Sequence, residues 1–582
     1  MKQSKRFLFL FFSIIAISAY AKEKVLSSQQ LIPANSWIYD GIDTLFSATG
    51  KVSPISCAPI SIAELQMSFD QIDFEKLPAN TRKLYNDVKD FLEYKKGLIS
   101  IPGVKVDVVP KINAQFLAKT NNDLDWNFAT DYTAHNGYGA ASNANGEDAV
   151  KKLAEANLKL DFGNTFFIET TPFFGTNFWI SETGISGNSN LIANVPYNAD
   201  RFEFLQPTWA YGSVGKNFGN WGINFNVLKE GLQIGKTHTG SVIYNSTFQT
   251  EFCAQLNLYS PRFSYNLDVA QIEHDKYLYL HYAQATVFNW LRFGILEGTL
   301  INHGFELRYL NPLMIMHSFG SWTEYKTEDE DKYYGEAHVC AYVAFNFDIN
   351  PCRYLRIYGL YAQNEIQTKL ELGSDYGRSI PDGSAYQLGV DFTYPSKNGF
   401  WIASLEGVYV YPFCYMKTGE EWSLVSKRYD MQHNVSLPIY SWIGTPFGPD
   451  SIAAQARFGF TTFSKGSLVL EYLFVAHGEN SFGLFSQKLD KEGNEYYSYY
   501  PSAKYSQGVY SGEEAAKVAR SHALSGTVSF TNAITLRQNY DFNDRFSLDS
   551  RITYKAVYNN KNRAGEIARG LEFSIAFSEK IL

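Results

Sequence analysis

Tyr386-Gln387-Leu388-Gly389-Val390-Asp391-Phe392-Thr393-Tyr394 reads as a strand with two unlike faces. Tyr386, Leu388, Val390, Phe392 and Tyr394 fall on one side, and Gln387, Gly389, Asp391 and Thr393 on the other, which is the two-residue period of a half-buried strand. An apolar centre with aromatic ends suits a bilayer. A strand of a transmembrane barrel shows lipid its apolar face, sets Tyr or Trp at the two interfaces and turns polar groups to the lumen. From Trp401 to Tyr411 the design repeats, with Trp401, Ala403, Leu405, Gly407, Tyr409 and Tyr411 opposed to Ile402, Ser404, Glu406, Val408 and Val410. Towards the C-terminus, Leu571, Phe573, Ile575 and Phe577 alternate with Glu572, Ser574, Ala576 and Ser578. Phe546, Leu548, Ile552 and Tyr554 likewise leave Asp549, Arg551 and Lys555 on the other face. Turned to lipid at the midplane, an Arg or Lys would cost about 2–4 kcal/mol. A soluble β-sandwich shares the alternation of any one segment, but the aromatic ends and the export signal favour a transmembrane antiparallel β-barrel.

That export signal is read at the N-terminus. Lys2, Lys5 and Arg6 precede an apolar run from Phe7 to Ile17, and Ala19-Tyr20-Ala21 forms a small-x-small cleavage site, so residues 1–21 are expected to be a signal peptide with the mature chain starting near Lys22. Aromatic residues make up 16% of the chain, with 40 Tyr and 44 Phe, yet mean hydropathy is only −0.23, as expected when lipid-facing residues alternate with polar ones. The formal charge of −8, which becomes more negative without the basic leader, argues against nucleic acid. Five cysteines (Cys57, Cys253, Cys340, Cys352, Cys414) form no C-x-x-C pair, so no metal site is expected. Cys340 and Cys352 could pair or remain free thiols. No cofactor is implied.

Two regions are expected. Residues 22–103 read as a small helical periplasmic domain: a helix from Trp37 to Ala48; a second opened by a Ser61–Glu64 capping box with Leu65, Phe69 and Ile72 on one face; and a third capped by Asn80, striped by Leu84, Val88, Phe91 and Leu92 and ended by Gly97. A core this small stabilises a fold by no more than about 3–5 kcal/mol, so docking on the barrel mouth is expected. Residues 104–582 read as the outer-membrane β-barrel, of about 18 strands. The runs include Val106 to Phe116, Leu158 to Ile168, Phe252 to Leu258 and Leu468 to Ala476, and the polar stretches Lys417 to Ser451 and His477 to Gly526 read as extracellular loops.

Mid-chain, Ser213-Val-Gly215-Lys-Asn-Phe-Gly219-Asn-Trp221-Gly222 is followed by Gly231-Leu-Gln-Ile-Gly235-Lys-Thr-His-Thr-Gly240-Ser. Then come Tyr279-Leu-His-Tyr282, Arg292-Phe-Gly294-Ile-Leu-Glu297 and Arg308-Tyr-Leu-Asn311-Pro312-Leu. Over roughly residues 205 to 320 these blocks resemble the capsule assembly Wzi family, with Gly215, Trp221, Gly235, Glu297, Asn311 and Pro312 as the matching signature. Where many members carry an Arg-Asp pair and a Trp-Gly-Pro turn, this chain has Val227-Leu-Lys-Glu-Gly231 and Gln233-Ile-Gly235-Lys236. The resemblance implies an outer-membrane barrel that binds surface polysaccharide and helps organise a capsule or similar layer.

Other motifs have plainer readings. Gly231 to Thr237 is one residue short of a phosphate loop; Asn311-Pro312 reads as a turn; Glu328-Asp-Glu-Asp331 lacks the spacing of a calcium loop. His317-Ser318 with Glu297 lacks a hydrolase motif, so no catalysis is expected. Arg356, Asp391, Glu406, Glu471, Arg551 and Glu572 are expected to pair across the lumen. Tyr496, Tyr497, Tyr499, Tyr500, Tyr505 and Tyr510 share an outward loop and offer rings for sugar faces and hydroxyls for sugar edges, which makes them the candidate glycan contacts. The expected partners are a surface polysaccharide and outer-membrane lipid, with a monomer favoured; a porin-like diffusion channel for small polar solutes is the competing function.

Overall fold

The computed structural model describes residues 27–93, 99–124, 150–186, 191–193, 203–204, 210–313, 339–366, 381–480, 488–489, 495–496 and 501–581, apart from 102, 122, 178, 182–183, 230–231, 249, 418, 433–434 and 507. Its frame is a closed antiparallel barrel of 18 strands. In chain order these are β1 (Val104–Lys119), β2 (Val150–Phe162), β3 (Phe166–Thr170 continued by Phe173–Asn177), β4 (Ala210–Asn217), β5 (Gly222–Lys229) and β6 (Phe252–Tyr259). Next come β7 (Phe263–Glu273), β8 (Lys276–Phe288), β9 (Leu291–Ile301), β10 (Val339–Cys352), β11 (Leu355–Glu365) and β12 (Gly383–Pro395). The rest are β13 (Phe400–Val410), β14 (Ser451–Thr461), β15 (Gly466–His477), β16 (Ser529–Asp541), β17 (Phe546–Tyr558) and β18 (Ile567–Lys580). The C-terminal strand closes the ring on the first, with Phe577 opposite Ala114 and Lys580 opposite Lys111. An even strand number brings both ends of the barrel to one rim, where tight turns join β4–β5, β6–β7, β8–β9, β10–β11, β12–β13, β14–β15 and β16–β17. That rim is the short-turn end, and the opposite one carries the long loops.

The alternation read in the sequence is the alternation of the wall. On β12, Tyr386, Leu388, Val390, Phe392 and Tyr394 are exposed while Gln387 is buried inward; on β13, Trp401 and Leu405 face out and Glu406 faces in. Rings link across the outer surface: Tyr361 and Tyr386 lie 5.1 Å apart, and Trp401 stacks on Phe458 at 5.5 Å. One expected run is interrupted. Leu158 to Ile168 contains the β2–β3 turn, where Gly163 and Asn164 take positive φ of 65° and 61°, a conformation open to Gly and tolerated by Asn.

Three helices lie across the short-turn end: α1 (Trp37–Ala48), α2 (Ile62–Phe69) and α3 (Arg82–Leu92). Each region of this segment reaches a barrel turn. Val52 N–H donates to Asn289 O (2.7 Å), Tyr354 N–H to Ser47 O (3.1 Å), Gln71 Nε2 to Pro261 O (3.0 Å) and Ser464 Oγ to Asp87 Oδ2 (2.9 Å). Ile38, Ile42, Leu45, Leu65, Phe69, Leu84 and Val88 belong to the same buried cluster as lumenal side chains, so the helices and the barrel share a core. Two caps differ from expectation. Ser61 Oγ accepts the Glu64 N–H at 3.3 Å, but the Glu64 carboxyl is buried instead of returning to Ser61, so this is a single N-cap and not a capping box. Asn80 sits in a 3-10 turn before α3 and donates to Pro395 O (3.5 Å), leaving the helix without a side-chain cap. Gly97 lies outside the described residues, and α3 ends at Leu92.

Lys417 to Ser451 joins β13 to β14 at the long-loop rim, as expected of a loop, but does not stay wholly outward. Its described flanks turn into the barrel: Leu424, Val425, Trp442, Ile443 and Phe447 are all buried. Five such apolar residues in a nominally polar stretch could not stay in water without cost, and the lumen gives them partners.

Candidate functional site

The β5–β6 connection, from Leu232 onward, also folds inward and plugs the barrel. Gln233–Ile234 pairs with Cys57–Ala58 of the N-terminal segment, and Gly235 N–H donates to Ser56 O (2.8 Å). Gly235 has φ +89°, and a Cβ there would press on Leu360 Cδ2, so any other residue is strained at this position. Beyond it, the backbone N–H groups of His238 and Thr239 both donate to the Glu406 carboxylate at 2.9 Å. Val242 N–H donates to Gln387 Oε1 (3.1 Å), and its carbonyl accepts from Tyr342 Oη (3.2 Å) and Tyr415 Oη (2.7 Å). Asn245 N–H donates to Ile443 O (2.7 Å), joining this plug to the 442–450 segment. In the long-loop half, Val242, Ile243, Tyr244 and Phe248 meet an apolar inner wall that includes Leu278, Leu296, Leu300, Ala385, Val408 and Val475.

In the short-turn half the wall is charged. A connected polar chain runs Arg292–Asp348–Arg356–Asp391–His238–Arg457–Glu471: Arg292 pairs with Asp348, Arg356 spans Asp348 (2.6 Å) and Asp391 (2.8 Å), His238 Nε2 meets Asp391 at 2.6 Å, and Arg457 Nε meets Glu471 at 2.9 Å. Arg457 also contacts His238 Nδ1. An arginine can only donate, so Nδ1 accepts and the proton sits on Nε2, towards Asp391. Beside this chain Lys236 binds Asp43 (2.6 Å) and Asp40 of α1 (2.8 Å). Burial pulls the Lys236 ammonium down, but the two carboxylates outweigh it and leave its pKa above the ordinary value. A cavity of about 400 Å³ lies against these groups, between α1 and the wall of β9–β16.

The lumenal residues named from sequence pair as follows. Arg356 does meet Asp391, whereas Glu406 serves the plug backbone, Glu471 binds Arg457, Arg551 binds Asp549 (3.5 Å) and Glu572 faces Lys555 (4.0 Å). Of the loop tyrosines, Tyr505 is exposed on a short helix, Pro501–Ser506, and Tyr510 Oη accepts from Lys504 Nζ (3.1 Å) with the ammonium 4.9 Å over its ring. Tyr496 lies in a ribbon of Glu495–Tyr496 with Lys488–Leu489, and Tyr497, Tyr499 and Tyr500 lie outside the described residues. Among the described residues nothing brings Tyr505 and Tyr510 to the cavity.

The signature residues occupy separate elements. Gly215, on β4, has no room for a side chain beside Ile223 O and Gln29. Trp221 is exposed at the β4–β5 turn and stacks on Phe218 at 4.5 Å. Gly235 is in the plug, and Glu297 is on β9 opposite His281. Asn311-Pro312 forms a turn in which Asn311 Oδ1 accepts the Leu313 N–H (3.1 Å). Glu328 to Asp331, His317 and Ser318 lie outside the described residues. Sequence reasoning missed the plug residues Lys236, His238 and Thr239; the surrounding glycines and the Val242-Ile-Tyr244 run were the available signal.

No family model matches the chain, and no curated protein does. Among solved structures it is similar to Wzi of Escherichia coli, described as an outer-membrane protein involved in group 1 capsule assembly and a carbohydrate-binding β-barrel, with 11% identity, a TM-score of 0.51, and 95% of this chain and 99% of that one covered. It also aligns with OprD of Pseudomonas aeruginosa at 8% identity and a TM-score of 0.34, over 82% and 96%. At these identities the likeness is one of fold, that of an outer-membrane β-barrel.

Proposed function

We propose that this barrel binds and organises surface polysaccharide at its long-loop end and does not serve as an open diffusion channel. The carrying observation is the plug: two connections fold inward, and the long-loop half of the lumen is packed with Val242, Tyr244, Phe248, Tyr415 and Trp442. A diffusion pore needs a wet passage, and such packing opposes one. The similarity to a carbohydrate-binding barrel over nearly the full length supports the same reading. In it, the long-loop end faces outward, residues 31–100 sit on the periplasmic side, the chain works without catalysis, and the tyrosine loop supplies stacking contacts of about 1 kcal/mol per useful ring. Replacing Tyr496, Tyr497, Tyr499 and Tyr500 together with Ala is expected to lower glycan retention on cells with barrel abundance unchanged. Normal retention in that variant would count against the loop. The channel reading draws on the charged cavity of the short-turn half, and conductance separates the two.

A further inference from the structure

We propose that a groove on the outer wall, at the seam where β18 closes the ring on β1, binds one phospholipid with a zwitterionic, amine-bearing headgroup. The lipid comes from the leaflet at the short-turn end, and the site is independent of what the long loops bind. Ile112 and Ala114 of β1, Phe577 of β18, Phe546 of β17 and Phe542 of the β16–β17 turn line the groove. All five are exposed on the outward face, where a barrel meets lipid. Phe577 stands opposite Ala114, and the small side chain of Ala114 between the outward Ile112 and Phe116 leaves the hollow. Its volume of about 540 Å³ falls within the range of ligand sites, about 300–1,000 Å³.

Lipid tails are equally apolar, so the groove holds an acyl chain by packing and the headgroup decides which lipid stays. At the short-turn end of the groove stands an ion pair. Glu579, also a lining residue, lies between Phe546 of β17 and Ile112 of β1 in the strand register, which puts its carboxylate on the outward face. Arg545 of the β16–β17 turn meets it through one N–H at 3.2 Å, and the two side chains are 49% and 40% exposed. The turn fixes the arginine: Asn543 Oδ1 accepts the backbone N–H groups of Arg545 (2.8 Å) and Phe546 (2.9 Å), and the guanidinium lies 5.9 Å over the Phe546 ring. The other N–H groups of Arg545 suit a lipid phosphate, and the open lone pairs of Glu579 suit an ammonium, whose protons all donate. Opposite charges side by side match a headgroup that carries both. Asp541 and Asp544, exposed beside Arg545, leave no surplus positive charge for an anionic headgroup.

The test titrates the full-length protein in detergent with phosphatidylethanolamine, phosphatidylcholine and phosphatidylglycerol of identical acyl chains, and counts bound lipid by native mass spectrometry. One saturable phosphatidylethanolamine adduct is expected, about fivefold or more tighter than either of the other two, because the choline head has no N–H to donate and the glycerol head no cation. Ala114→Phe fills the hollow and should weaken all three lipids about tenfold. Glu579→Gln should bring phosphatidylethanolamine down to the level of phosphatidylcholine, and Arg545→Gln should weaken all three. Ile295→Phe, on the outward face of β9, should change nothing, which separates a site from general lipid contact. Heat-modifiable migration of each variant confirms a folded barrel, and the substitutions lie on different elements, so one remains informative if another misfolds. No saturable adduct on the wild type, equal affinity for the three lipids, a preference for phosphatidylglycerol, wild-type binding in Ala114→Phe, or an equal loss in Ile295→Phe would each overturn the proposal.

Discussion

The two halves of the lumen use the same strands and the same alternation, yet different chemistry dominates their inner walls. Near the long loops the inward positions are Leu278, Leu300, Tyr342, Ala385, Val410 and Val475; near the short turns they are Arg292, Asp348, Arg356, Asp391, Arg457 and Glu471. The first half is closed by burial of apolar surface, which is non-directional and roughly proportional to the area removed from water. The second is held by ion pairs, which depend on geometry and on protonation. Alternation therefore says which residues face inward but not whether they meet water, a plug or a partner charge.

The contrast breaks most sharply at Arg356. Replacing it with Met leaves Asp348 and Asp391 each short of a cation in a largely buried setting, and removing one partner of such a network costs about 3–5 kcal/mol. Thermal unfolding followed by heat-modifiable migration should show a marked loss, and restoring neutrality with Asp391→Asn in the same chain should recover part of it. Phe248→Ala, in the apolar half, should cost a similar amount, about 3–5 kcal/mol, but with no recovery from Asp391→Asn. Equal recovery of both variants by Asp391→Asn would erase the distinction between the halves.

A smaller effect is expected at α2. Burial pushes the Glu64 carboxyl up to about 8, so the folded chain keeps this proton where the unfolded chain, titrating near the ordinary value, has lost it. The stability of the docked helices should thus be greatest in acid, fall as pH rises from about 4.5 towards 8, and level off above that. Glu64→Gln should flatten the profile, with a gain at pH 8 on the order of a few kcal/mol at most; limited proteolysis of residues 31–92 across this pH range is the measurement. An unchanged slope in the variant would assign the pH dependence elsewhere. Smaller still is Gly235→Ala, whose φ of +89° and contact with Leu360 predict a loss of about 1–3 kcal/mol in plug docking, seen as increased protease access to the β5–β6 connection. The smallest change in stability belongs to Tyr505→Ala, within about 0.5 kcal/mol because the ring is exposed.

Much of the wall was legible. Tyr386 to Tyr394, Trp401 to Tyr411 and Leu571 to Phe577 display their outward residues as read, because lipid on one side and packed protein on the other impose a strict period of two. The apolar stripes of α1 and α3 were legible for the same kind of reason at the helical period. The plug was not. Its segments are irregular, held by hydrogen bonds such as His238 and Thr239 to Glu406 that join residues more than 160 positions apart, and no local period records such a contact. A partial signal stood on β13, where Val408 and Val410 occupy the inward face; two valines there are out of place in a wet lumen and point to a packed one. Asn80 and Glu64 were misread as caps because barrel turns and core burial claimed them first.

Whether the barrel is closed by its own inward connections is decided by planar-bilayer conductance of the refolded wild type beside a variant lacking residues 236–246. Little or no stable current is expected from the wild type, and large, stable openings from the deletion. Large, stable conductance from the wild type itself would contradict it and put the diffusion channel in its place.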